Sequence, residues 1–246
     1  MRRRDLFLGA MALLLIWQAL ALLVNQPILP GPVTVGAAFV EGLGDDLTGH
    51  FLVSTWRVLA SILLAVALAA PAGLMLGQSQ RLNRLFSPII YMLYPIPKVV
   101  LVPVILLLFG IGDLPKIIII FLILFFQILV LVRDSAASIE PKTLLSVRSL
   151  GAGRRALFRY VYLPASLSAI LTALRQSVGT AVAVLYIAEL FATQQGLGYY
   201  IYLNGNTLFN YPAMYAGVLA MSILGLGLYF TVDRLEKSFC PWRFVQ

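Results

Sequence analysis

The sequence predicts an all-α, polytopic membrane protein with about six transmembrane helices, and three observations predict it. Of its 246 residues, 61% are hydrophobic and only 11% charged, whereas a soluble domain carries about a quarter charged residues. The apolar residues also fall in runs of roughly twenty, the length that crosses a hydrocarbon core of about 30 Å. Finally, the basic residues, which set a net charge of +8, gather in alternate connections between the runs, as do loops retained on the cytoplasmic side. The charge therefore reports topology. No aromatic-interleaved basic surface accompanies it, so no nucleic-acid partner is expected.

Taken in order, Arg2, Arg3 and Arg4 precede an apolar run from Leu6 to Val24. The run exceeds the roughly 7 to 15 residues of a signal-peptide core, so it reads as a retained first helix with a cytoplasmic N-terminus. Asn25 to Asp46, with Pro27, Pro30 and Pro32, is an outer segment carrying a short interfacial helix over Val33 to Leu43. The second span covers His50 to Leu76, and Arg81 and Arg84 then mark a polar cytoplasmic turn. A third span from Leu85 to Phe109 is interrupted by Pro95 and Pro97, which lack the N–H a helix needs and so bend or unwind it. An outer turn with Gly110, Gly112 and Asp113 leads into the fourth span, Lys116 to Val132. A basic loop over residues 135–164 returns through the cytoplasm, and the fifth span runs from Ala165 to Ala192. Gly196 to Pro212 is uncharged and rich in tyrosine, an outer re-entrant or interfacial segment with Tyr anchors. Ala213 to Thr231 is the sixth span, and Arg234, Lys237 and Arg243 hold the tail inside. Both termini are then cytoplasmic. With no internal repeat or soluble domain in view, residues 1–246 are expected to form a single transmembrane domain.

Several chemistries are excluded at this stage. One cysteine, Cys240, and one histidine, His50, supply neither an internal disulfide nor a metal site of three or four ligands, so no metal or other cofactor is expected. No Gly-x-x-x-x-Gly-Lys-Ser/Thr loop is present to hydrolyse ATP. An intramembrane enzyme would need clustered acid, base or nucleophile groups, and the spans hold a single Glu with no Asp or His well inside.

The ionisable residues in the spans are the informative ones, because a charge at mid-bilayer costs on the order of 3 kcal/mol even on a lenient scale. Arg57 either snorkels to the outer interface or lines a path, while Arg175 lies deeper and snorkels with more difficulty. Lys98 follows the Pro-Ile-Pro break, where freed carbonyls and water can hold an ammonium. Glu189 is expected in the interior or in a cavity. Arg57, Pro95, Pro97, Lys98 and Glu189 are thus the candidates for a translocation path.

The basic loop, Leu144 to Leu167, has further structure. Gly151 and Gly153 give freedom for a tight turn, and the residues after them have the period of a short amphipathic helix. Leu157, Phe158 and Val161 share one apolar arc, with Arg155 and Arg159 on its flank. Pro164 stops this helix or opens the next. On charge alone, Lys142, Arg148, Arg154, Arg155 and Arg159 need only anchor topology against membrane lipid. Their setting suggests more: Gly151, nine residues, Val161, any residue, Leu163 and Pro164 resembles the cytoplasmic EAA-type loop of permease subunits in binding-protein-dependent ABC importers. Tyr94 to Lys116, Ser54 to Ala65 and Ala188 to Ile201 similarly resemble, in the same order, segments of the nitrate, sulfonate and taurine permease subfamily.

That resemblance implies a type I ABC importer permease fold in a bacterial inner membrane. It implies partners: ATPase subunits that bind the ATP, a periplasmic or extracytoplasmic solute-binding protein, and a second copy of the permease forming a homodimeric pore. It also implies that Gly151, Arg154, Arg155, Leu157, Phe158, Arg159, Val161, Leu163 and Pro164 belong to the ATPase-coupling loop. The cargo would be a small anion such as a sulfonate, taurine or nitrate. One departure stands out: the family's Glu-Ala-Ala opening is replaced by Leu145, Ser146 and Val147, so the polar contact of that Glu falls to Arg148, Arg154 or Arg155. Two other readings are a permease for another small solute, such as a pyrimidine precursor, and a non-transport membrane scaffold. The scaffold leaves four ordered motifs unexplained.

Overall fold

The computed structural model describes residues 3–191 and 193–243, and every regular element among the described residues is helical. In chain order these are α1 (Arg3–Val24), α2 (Pro32–Leu43), α3 (Asp46–Gln78), α4 (Gln80–Leu93), α5 (Val102–Phe109), α6 (Asp113–Ala137), α7 (Pro141–Ser149), α8 (Arg154–Leu157), α9 (Leu163–Leu190), α10 (Leu197–Tyr202) and α11 (Tyr211–Phe239). Helices prevail because lipid offers no partner to an unpaired N–H or C=O, and a helix satisfies its own. Five helical stretches are long and apolar enough to cross a bilayer, and the pair α4 and α5 brings the number up to six if taken as one broken span.

The expected kink in the third span is a full break: α4 and α5 meet at 76°, joined through a 3₁₀ turn over Lys98–Leu101. Pro97 lacks the N–H that would have bonded the Leu93 carbonyl, and Pro95 lacks the one for Tyr91, so the last turn of α4 loses two i+4 bonds. Arg81 and Arg84, expected in a polar turn, instead lie in the opening turns of α4. A new helix starts immediately after α3 because the Ser79 hydroxyl accepts the Leu82 N–H at 3.4 Å, the contact that caps a helix start.

The chain divides into two compact units. The first comprises Met1–Thr55 and Glu189–Leu224. Its α1 has no buried residue along its apolar stretch and is tied down by Trp17, whose Nε1 donates to the Pro30 carbonyl at 3.1 Å and whose ring lies 6.2 Å from that of Tyr215. Tyr200, expected as an interfacial anchor, is instead buried together with Ile201 and Asn204. Its own backbone carbonyl accepts from the Asn204 side chain at 2.9 Å, satisfying that polar group away from water.

The second unit comprises Trp56–Ala188 and Gly225–Gln246. Its core follows α6, where Ile120, Leu124 and Ile128 are buried at successive i, i+4 positions. On α3, Gly73 and Gly77 sit one turn apart and face the α6 backbone. A methyl at Gly73 would lie 2.9 Å from the Leu129 carbonyl oxygen, and one at Gly77 would lie 2.6 Å from that of Arg133. Small residues at this spacing let two membrane helices approach closely, which replaces the hydrophobic drive that lipid cannot supply. Arg175 does not snorkel: it pairs with Asp233 at 3.3 Å and Glu236 at 3.1 Å, and Thr172 also donates to Glu236. Gly77→Val should therefore lower the melting temperature of the detergent-solubilised protein, since overpacking of this kind costs about 1 to 3 kcal/mol. An unchanged melting temperature would mean that α3 and α6 do not touch there.

Candidate functional site

Three sites result from these elements, and the basic loop between α6 and α9 is the first. The α7 helix opens with Pro141 in its first turn, where a missing N–H costs nothing. It ends at Leu150 and Gly151, the latter at φ +82°, with the Gly151 N–H bonded to the Arg148 carbonyl. Only glycine takes that left-handed conformation without strain. Gly153 does not adopt it, so the turn rests on Gly151 alone. Of the two expectations for Pro164, the second holds: it lies in the first turn of α9, though no gap separates that helix from the turn before it. The chain passes from α8 through a π-turn over Phe158–Tyr162 into α9, and the stretch Arg155–Leu190 is continuous. In a regular α-helix the Pro164 ring would strike the Tyr160 carbonyl and leave it unbonded. The wider turn, in which the Leu163 N–H reaches back to Phe158, absorbs the conflict.

The predicted apolar arc of this loop is divided. Leu157 is buried at 5% exposure and holds the loop to its own subunit, whereas Phe158, Tyr160 and Leu163 are exposed. Leu157 and Phe158 are neighbours in sequence and point about 100° apart, so one turns inward as the other turns out. Arg155 and Arg159 are exposed and Val161 is half-buried; the Arg154 side chain lies outside the described residues. Leu150, at 86% exposure, and Leu145, at 62%, extend the exposed apolar surface. Sequence reasoning passed over Leu150, though an apolar residue beside the Gly151 turn was a visible signal.

At the break in the third span, the Lys98 ammonium donates to the two carbonyls of Leu93 (2.9 Å) and Tyr94 (2.7 Å). It lies 4.6 Å from the Phe126 ring centroid and 5.6 Å from that of Tyr94. The expectation that freed carbonyls hold this lysine is met. Arg57, by contrast, is neither snorkelling nor open to a path: buried at 2% exposure, it forms an ion pair with Asp113, 2.8 Å from Nε and 2.7 Å from Nη2. The buried Lys116 donates to the Gly112 carbonyl one turn before it at 2.8 Å.

The third site surrounds Glu189, which is fully buried in the first unit, as an interior location requires. Three consecutive backbone N–H groups open α10, and each finds a side-chain acceptor. Gly196 donates to His50 Nδ1 at 3.0 Å, Leu197 to the Ser54 hydroxyl at 2.8 Å, and Gly198 to Glu189 Oε2 at 2.9 Å. The Ser54 hydroxyl in turn donates to the Glu189 carboxylate, 2.8 and 2.9 Å from its two oxygens. Gly196 is at φ +116°, and a methyl there would overlap the Glu189 carboxylate. This is why an acid precedes Gly-Leu-Gly-Tyr in the sequence: the carboxylate needs the space a side chain would fill. Nearby, burial raises the Tyr200 phenol above its ordinary pKa, with Asp45 and Asp46 adding to the effect. Ser54→Ala would leave the Leu197 N–H without an acceptor, a loss of about 1 to 3 kcal/mol. It should speed amide hydrogen exchange across residues 197–207 in nanodiscs; unchanged protection there would show that the cap does not hold the segment.

Residues 62–241 match the family described as binding-protein-dependent transport system inner membrane component. The chain is 30% identical over 250 residues to the taurine transport system permease protein TauC of Escherichia coli (strain K12), covering 98% of this chain and 90% of that one. It is also 30% identical over 231 residues to the putative aliphatic sulfonates transport permease protein SsuC of Bacillus subtilis (strain 168), covering 93% of this chain and 83% of the relative. In structure it resembles a chain of the MetNI methionine ABC transporter in an inward-facing conformation. That match has a TM-score of 0.66 at 20% identity and covers 78% of this chain and 95% of that one, a likeness of fold. The fold is that of a type I importer permease, and the family implies separate ATPase and solute-binding partners. The buried cap and the broken third span are accordingly parts of a multi-pass inner-membrane transport subunit without an ATPase site of its own, and the chain belongs to the binding-protein-dependent inner membrane components as the permease of an ABC importer.

Proposed function

We propose that two copies of this subunit form the translocation pathway for a small sulfonated anion, and that residues 141–164 couple it to the ATPase. The chain acts as one transmembrane domain with both termini in the cytoplasm, and any ATP is bound by the partner subunit, so this chain needs no cofactor. The substrate class is supported by the taurine and sulfonate relatives. The observation that carries the coupling role is the division of the loop's apolar residues: Leu157 is anchored inside while Leu150, Phe158 and Tyr160 stand exposed among arginines. An aromatic side chain filling a partner's groove typically contributes about 2 kcal/mol or more, and a rim charge about 1 or less. The leucine at position 145 fits this balance, because apolar contact substitutes for the family's glutamate.

Phe158→Ala should thus release the ATPase subunit on copurification, or uncouple its hydrolysis from substrate, while Arg155→Ala acts mildly and less so at high salt. Normal copurification and coupled hydrolysis in Phe158→Ala would remove the loop from the coupling role. The topology has its own test, in a Cys240→Ser background. Cysteines at the exposed positions Asp45 and Phe209 should react with an impermeant thiol reagent in spheroplasts, and one at Arg155 should not. Labelling at Arg155 would invert the assignment.

A further inference from the structure

We propose that Lys98 is the group that coordinates the transported anion inside the membrane, reading its charge at the break between α4 and α5. This rests on the translocation reading above but assigns a specific role within it. Backbone outside regular helix is tolerated at membrane depth only where protein covers it or water reaches it. Here residues 94–97 are exposed on this subunit and Lys98 is half-buried. A lysine left open at that depth faces water, because hydrocarbon would force it to neutralise or withdraw.

The ammonium is also poised for a ligand. Two of its three N–H groups are held by the Leu93 and Tyr94 carbonyls, and the third has no acceptor among the described residues. The Phe126 ring lies beneath it and the Tyr94 ring beside it, which stiffen the side chain while leaving one direction free. No carboxylate pairs with it among the described residues, so its charge is not cancelled locally as those of Arg57 and Arg175 are. A fixed cation with an open donor and aromatic walls suits a compact oxyanion on a short organic chain, which is the shape of an alkanesulfonate. The competing role is structural: a lysine capping the last carbonyls of α4 would need no ligand.

The test uses the complete permease and ATPase complex in nanodiscs. Lys98 should be modified by a water-soluble imidoester, read by mass spectrometry of its peptide, and methanesulfonate should slow that modification roughly fivefold or more, as a charge-assisted contact would. Methylammonium at the same concentration should not. No modification would mean the lysine faces lipid or protein, and modification without protection by the sulfonate would mean it is only a cap; either overturns the proposal. In proteoliposomes supplied with binding protein, taurine uptake per assembled complex should fall at least about tenfold in Lys98→Met and return in Lys98→Arg. Rescue by Lys98→Gln, which can cap carbonyls without carrying charge, would also overturn it. If the wild-type complex takes up no sulfonate while methanesulfonate still protects Lys98, the substrate assignment fails and the anion site stands.

Discussion

The absence of water in the bilayer core governs this molecule. Every backbone N–H and C=O inside it must find a partner within the protein, and burial at its margins makes the same demand; the irregular features described above are local solutions to it. Where Pro97 frees a carbonyl in the third span, the Lys98 ammonium occupies it. Where Pro164 would break the run into α9, the helix widens and continues. Where the short α10 begins with three unpaired donors, His50, Ser54 and Glu189 receive them. Prolines and interrupted helices persist because these interruptions are repaired locally, by a side chain at Lys98 and at α10 and by a wider backbone turn before Pro164.

The same demand separates the charges by role. Arg57 and Arg175 are neutralised by Asp113, Asp233 and Glu236, so they brace helices against one another. Arg57 and Glu236 are the buried members of these pairs, whereas Asp113 is 48% and Arg175 26% exposed; removing the partner of a buried charge is the destabilising change. Lys98 is held by neutral dipoles and aromatic faces instead, and its charge remains available. A charge that is cancelled braces the scaffold, and one that is merely supported is the kind we propose for the path.

Much of this was legible in the sequence, for identifiable reasons. Span positions follow from runs of apolar residues, and the break at Pro95 and Pro97, with a lysine against freed carbonyls, follows from the chemistry of proline a few residues away. What depends on distant partners was not legible. Arg57 and Asp113 are 56 residues apart and Ser54 and Glu189 are 135 apart, and periodicity says nothing of such pairings. The opposed orientations of Leu157 and Phe158 required the location of the core. Gly73 and Gly77 carried a recognisable small-residue spacing within an apolar run, yet only the nearness of α6 reveals what they make room for.

The unbroken passage from the basic loop into α9 constrains the lengths the chain can tolerate. In most membrane proteins a connecting loop gains or loses residues freely, because its conformation absorbs the change. Here the exposed residues Phe158 and Tyr160 are in fixed phase with the buried face of the following helix. A one-residue insertion or deletion between Arg155 and Leu171 would rotate one against the other by about 100°. The π-turn has already used the slack that such a helix can offer, so this region should accept substitutions on its surface while rejecting indels, the reverse of ordinary loop behaviour.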